Sequence, residues 1–193
     1  MDSMENIATI IRQRRTVKPT SMNGKKIADE TVRELMELAD WAPTHGLTEP
    51  WYFVVFSGDK VQEFCAEHAE LYKTFTPAAG FIPGNYDKLK TQGDLASHLV
   101  AVCMKRGSNP KIPEIEEIAA TACAVENIWL AATAQNIAMY WGSGGMTYHP
   151  AMQDHLGLGD DDKVMGFLYL GYTDEAPRPG RRVKPLDEKV KWM

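Results

Sequence analysis

Apolar residues recur along this chain with two periods, and the places where one period gives way to the other set out its elements. Met4, Ile7, Ala8 and Ile11 fall at helical spacing, which predicts a short first helix capped by Asp2 or Ser3, with Arg12, Arg14 and Arg15 in its last turn. Val32, Leu35, Met36, Ala39 and Ala42 form the apolar face of a second helix, with Asp29 as its cap and Pro43 as its stop. Trp51–Phe56, WYFVVF, is apolar on both alternating faces and predicts a strand covered on both sides, followed by a helix from near Lys60. His98–Met104, Ile137–Trp141 and Val164–Leu170 read as further strands, and Ile115 to Ala132 as a long central helix entered through three glutamates. Pro150–Leu156 reads as a brief helix closed by Gly157, and Leu186–Trp192 as a polar helical fragment too short to be stable alone. Phe75 to Asp94 shows no clear period and is rich in Pro and Gly, which predicts a mobile surface excursion.

Composition narrows the class. A chain of 193 residues that is 44% apolar can bury a core, and it holds no repeat or linker that divides it, so one domain over 1–193 is expected. A net charge of −5 provides no general field for nucleic acid, and no apolar run reaches the roughly 20 residues of a membrane span. Cys65, Cys103 and Cys123 form no CxxC pair, and the amino terminus places acids before arginines, the reverse of a secretory signal. Reduced thiols in a soluble cytoplasmic protein are the expectation. GxSxG, HExxH, GxGxxG and GxxxxGK[ST] elements are absent, and His149 and His155 are spaced poorly for a shared metal, so no metal site is expected.

Three segments carry candidate chemistry. Arg14, Arg15, Thr16 and Lys18 put three cations and a hydroxyl within five residues, a donor set suited to phosphate because guanidinium forks onto its oxygens. The loop APTHGLTEPW, Ala42–Trp51, turns a helix into a strand through a polar stretch bounded by prolines. Trp141, Gly142 and Ser143 follow a strand where glycine permits close approach of backbone to a ring or phosphate. Their bland readings are a solvated helix end, a surface turn and an ordinary strand-ending loop.

Together, RRT at the end of the first helix, APTH…PW before the strand, GFLYLGY and the Arg181-Arg182…PLDE tail resemble the FMN-dependent nitroreductase family in order and over nearly the whole chain. The resemblance implies an α+β sandwich, a small and mostly antiparallel sheet flanked by helices, in an interlocked homodimer with FMN at its interface. It implies that Arg14, Arg15 and Thr16 hold the ribityl phosphate and that Lys18 approaches the flavin pyrimidine edge. Trp41 and His45 would reach FMN from the other subunit, Trp141, Gly142 and Ser143 would line it, and Arg181 or Arg182 would complete the phosphate site. Leu47 and Glu49 depart from the family pattern, which commonly has Asn and Gln there, and Gly142 stands where some members have arginine. Residues 75–112 become the variable substrate-side segment, with Phe75, Phe81 and Tyr86 as candidate acceptor contacts, and the 172–193 tail is expected to cover the partner subunit. The implied activity is hydride transfer from NADH or NADPH through the flavin to a nitroaromatic, quinone or similar small acceptor. The alternatives are reductive dehalogenation or other flavin chemistry on the same fold, and a flavin-binding redox module without turnover.

Overall fold

The computed structural model describes residues 3–193, in which four strands form one sheet between two layers of helices. The chain runs α1 (Ser3–Gln13), α2 (Asp29–Ala39), β1 (Trp51–Ser57), α3 (Lys60–Phe75), α4 (Pro83–Thr91), β2 (His98–Met104), α5 (Glu114–Ala134), β3 (Ala138–Gly142), α6 (Pro150–His155) and β4 (Lys163–Gly171). The sheet order is β1-β2-β4-β3, antiparallel at every pairing. The α1 cap expected at Asp2 or Ser3 lies outside the described residues and side chains.

The central strands explain the layers. Every residue of β2 is buried, and the side chains alternate. Leu99, Ala101 and Cys103 join Phe64, Tyr72, Phe167 and Tyr169 on the α3 side. Val100 and Val102 join Leu35, Ala124, Ile128, Leu168 and Leu170 on the α2–α5 side.

The structure corrects four local expectations. Asp29 is the first residue of α2, after an Ala28 cap, and its carboxylate accepts from His98 Nε2 at 2.8 Å instead of capping the helix. β1 is an edge strand with Tyr52 and Val55 exposed, so it is not covered on both faces. The 75–94 excursion contains α4, which starts at Pro83 because proline suits a first turn that needs no donor. The tail forms only a three-residue turn, Leu186–Glu188, because a fragment this short does not hold a helix without a surface to pack on.

Two polar devices tie the layers together. Glu117 of α5, 1% exposed, pairs with Arg106 and accepts from Gly107 N at 3.0 Å. Arg106 N in turn donates to Asp162 Oδ1 at 2.9 Å, so the loop after β2 is fastened to both α5 and the approach to β4. Ser97 Oγ lies 3.0 Å from His98 Nδ1, an order of groups like that of a serine hydrolase, but Ser97 is fully buried and accepts from Ile27 N at 2.7 Å. That hydroxyl is a brace for the loop before α2.

The β2–β4 register shifts between Val102 and Cys103, opposite Gly166, whose φ is 135°. A Cβ on Gly166 would sit 2.7 Å from the Gly142 carbonyl oxygen and against the Trp141 indole. Gly166→Ala is therefore expected to cost about 2–4 kcal/mol, from backbone strain plus overpacking. A urea midpoint within error of the wild type would show that the bulge is not under this constraint.

Candidate functional site

The RRT element leaves α1 and lies along the free edge of β3. Thr16 forms a parallel bridge to Met139, and Val17 N donates to Met139 O at 3.0 Å. α5 fixes this segment from below: Trp129 Nε1 donates to Arg15 O at 3.2 Å, and the Arg14 guanidinium lies 4.5 Å from the centre of the Trp129 ring. Arg14 Nε is also 3.8 Å from Glu126. Arg15 is more fully engaged. Its Nε donates to Arg178 O at 2.7 Å, and Nη1 donates to the carbonyls of Arg12 and Arg14 at 2.7 Å each. Its Nη2 makes no hydrogen bond among the described residues. Thr16 and Lys18 are exposed.

The tail reaches this element because its start is tied down. Asn23 N donates to Tyr172 O at 2.8 Å and Thr173 Oγ1 to Ser21 O at 2.6 Å, which leads Arg178 and Gly180 onto Arg15. Arg181 and Arg182 follow as exposed residues.

One and three residues beyond Met139, Tyr140 and Gly142 enter the wall of a cavity of about 390 Å³. His68 and Tyr72 of α3, Asn85, Lys88, Leu89 and Gln92 on and beside α4, Gly144 and Gly145, and Phe167 and Tyr169 of β4 complete it. The RRT backbone and the Gly142 end of the cavity are thus three residues of strand apart, roughly 10 Å. Trp141 turns the other way: its Nε1 donates to Met165 O at 3.0 Å, and the ring packs in the α2–α5 core layer. Ser143 is exposed at the strand end.

Of the aromatic candidates in the excursion, none lines this cavity. Phe75 stacks near His149, Phe81 lies near Tyr72, and Tyr86 donates to Glu70 at 2.5 Å. The segment lines the cavity instead with the polar residues of α4, which the sequence hid because only Leu89 of that helix is buried.

The APTHGLTEPW loop stands elsewhere. Trp41 is 84% exposed, and His45 Nδ1 meets Glu116 Oε2 at 2.5 Å. Glu116 is in the first turn of α5, whereas Glu126 and Trp129, which meet Arg14 and Arg15, come ten and thirteen residues later. At the helical rise these two groups are about 15–20 Å apart along the axis. The loop backbone is strained: Gly46, Leu47 and Glu49 have φ of 61°, 54° and 42°. Leu47 and Glu49 are thus two left-handed residues without the short polar side chain of Asn, which tolerates that conformation better.

Two thiols can be set aside as nucleophiles, since burial pushes Cys65 up to about 11 and Cys103 up to about 12. His68 is pushed the other way. Burial, and secondarily His155, lowers it to about 4, so it is neutral at ordinary pH.

An antiparallel sheet sandwiched by helices, with a partly glycine-lined cavity and a cationic helix end set along one edge strand, defines an α+β protein. The chain belongs to the nitroreductase family, whose model matches residues 11–172. It is 31% identical over 142 residues to YdjA of Escherichia coli strain K12, covering 74% of this chain and 75% of that protein, which is provisionally named as an NAD(P)H nitroreductase. A nitroreductase-like protein from Bacillus cereus shares the fold at a TM-score of 0.82 and 26% identity, over 100% of this chain and 98% of the other. The FMN-dependent nitroreductase NfnB of Mycobacterium smegmatis, solved in complex with NADPH, shares the fold at a TM-score of 0.75 and 20% identity, over 100% of both chains. Among the described residues no helix is long and apolar enough to cross a membrane.

The depressed His68 gives a pH signature. The unfolded chain takes up this proton near 6.5 and the folded protein only near 4, so between those values the unfolded state binds more protons and stability falls as pH falls. The full penalty is on the order of 3 kcal/mol. The unfolding free energy from urea titrations is expected to fall between neutrality and about pH 4 by roughly that amount less in His68→Gln than in the wild type; equal losses would remove His68 from the acid response.

Proposed function

We propose that the protein is an NAD(P)H-dependent flavin oxidoreductase that carries FMN and works as a homodimer. The observation that supports this best is the meeting, along β3, of the RRT element with a cavity whose wall is partly glycine. The residues fit the group. Arg14, the Nη2 of Arg15 that has no hydrogen-bond partner among the described residues, Thr16 and the arginines of the tail suit a terminal phosphate, with Glu126 as the counterion an incoming phosphate would displace. Gly142, Gly144 and Gly145 put backbone instead of side chains on the cavity wall, and at Gly144 a Cβ would meet nothing within 4 Å, which suits close approach of a flat ring.

When bound, FMN supplies two-electron chemistry at N5, taking hydride from NADH or NADPH and delivering reducing equivalents to a small conjugated acceptor such as a nitroaromatic or quinone. The chain's own groups hold, tune and shield it. Lys18, exposed just beyond the RRT element, would supply a cation to the ring edge where negative charge develops on reduction and would favour the reduced form. The cavity would take donor and acceptor in turn beside the ring, with positioning contributing most of the effect and no acid–base dyad required.

The 15–20 Å between His45 and the RRT element along α5 supports a site completed by a second copy, in which the partner's loop brings His45 and the exposed Trp41 to the ring. The exposed Val183, Leu186 and Trp192 of the tail support its packing on that copy.

Anaerobic stopped-flow mixing with NADH and with NADPH tests the activity: the yellow colour is expected to bleach with at least one donor and to return on adding a quinone. A protein that holds FMN and is bleached by neither would be a binding module, not a reductase. Arg14→Ala or Arg15→Ala is expected to weaken FMN retention by about 1.5–3 kcal/mol. Unchanged FMN affinity in both would return these arginines to a structural role at the helix end.

A further inference from the structure

His68 has no part in the phosphate element or the loop, yet it is 2% exposed and lines the cavity. α3 delivers it between Phe64 and Phe167, at ring separations of 6.1 and 5.3 Å. Its Nε2 accepts from Met146 N at 2.9 Å. A ring nitrogen that accepts carries no proton, so in the neutral imidazole the proton is on Nδ1. Burial keeps the ring neutral. Among the described residues Nδ1 has no hydrogen-bond partner, and no buried side-chain nitrogen or oxygen is both sealed off and unpartnered. Nδ1 therefore retains open surface, and the open space that this buried ring borders is the cavity.

The turn held by Nε2 is matched to the ring. Gly145 has φ of 64°, and a Cβ there would sit 2.6 Å from His68 Nε2, so any side chain would displace the imidazole.

We propose that His68 works through both ring nitrogens: Nε2 fixes the Gly144–Gly145 turn, and Nδ1–H is the donor that the cavity wall offers to an acceptor atom, a carbonyl oxygen or ring nitrogen, of the planar ligand seated there. The identity of that ligand rests on the flavin reading; the tautomer and the turn anchor do not. Two ligands share the chemistry, the flavin ring itself and the electron acceptor that stacks on it.

Two amides separate the roles. In His68→Gln the amide oxygen reaches the Nε2 position and still accepts from Met146, while nothing replaces the Nδ1 donor. In His68→Asn the amide nitrogen takes the Nδ1 position, while Met146 N–H loses its partner. The measurements are FMN affinity by fluorescence titration, KM and kcat with 1,4-benzoquinone, and hydrogen exchange at the Met146 amide. His68→Gln is expected to keep Met146 exchange close to wild type and to weaken ligand binding about 3-fold to 10-fold, as for one neutral hydrogen bond. A change in FMN affinity assigns the donor to the flavin; a change in quinone KM at unaltered FMN affinity and kcat assigns it to the acceptor. His68→Asn is expected to exchange the Met146 amide at least about 10-fold faster. Wild-type FMN affinity and KM in His68→Gln, or unchanged Met146 exchange in His68→Asn, would overturn the proposal.

Nitrogen NMR of the histidine ring in the wild-type chain needs no variant to fold. It should show the Nδ1–H tautomer, with the Nδ1 resonance moving on addition of FMN or benzoquinone. The Nε2–H tautomer, or an Nδ1 signal indifferent to both, would equally overturn it. Failure of the wild type to bind FMN would defeat the flavin reading, while the tautomer and Met146 exchange would still decide the anchor.

Discussion

Burial of β2 and β4 on both faces is the constraint from which the rest of this structure follows. Side chains of β2 alternate between two apolar layers with no solvent face to spare, and Phe167 to Leu170 of β4 do the same. Each large side chain so buried contributes about 1.5–3 kcal/mol, so a charged group in this pair would cost more than a site could return. The groups that suit ligand binding are therefore displaced to the sheet's margins: the RRT element beside β3, the glycines beyond its end, and the proline-bounded loop before β1.

What keeps those margins in place is a small set of polar contacts anchored in the same core. Glu117 is buried as a carboxylate, which is tolerable only because Arg106 and Gly107 N satisfy it. These contacts fasten the loop after β2, the first turn of α5 and the approach to β4 to one another. Near the start of β4, at the bulge, the Met165 carbonyl accepts from Trp141 Nε1, which fixes the strand whose next residue is Gly142. The indole that sequence marks as a ligand contact thus supports the site through its backbone neighbour, its ring committed to the core.

The strands and long helices were legible because their apolar periods report burial directly, as α5 and β2 illustrate. The failures have a common cause. α4 has one buried residue, Leu89, so it carries no stripe to read. β1 looked doubly covered because its composition is apolar, yet pairing leaves it at an edge, a fact of topology that no single segment encodes. His68 was invisible for a similar reason: it sits on an ordinary amphipathic helix, and its meaning comes from Met146, seventy-eight positions away. Arg14, Arg15 and Thr16 were legible as a cluster, but their carbonyl, carboxylate and indole partners were not, because α5 and the tail supply them.

α5 also explains why one chain carries the two signature segments without joining them. Its first turn holds His45 through Glu116, and its last turns hold Arg14 and Arg15 through Glu126 and Trp129. The helix acts as a spacer of about 15–20 Å, and a packed helix cannot shorten. The loop at its first turn stays strained, with Leu47 and Glu49 in left-handed backbone and Leu47 projecting into solvent. Strain of this kind persists only where surrounding structure imposes it, and here Gly46 against Ile112 and Thr44 against Thr48 do so from within the chain. The loop is thus shaped before anything binds to it. The segment is thus preformed, exposed and held away from its own chain's cation cluster, which is the geometry on which the proposal of a site shared between two copies rests.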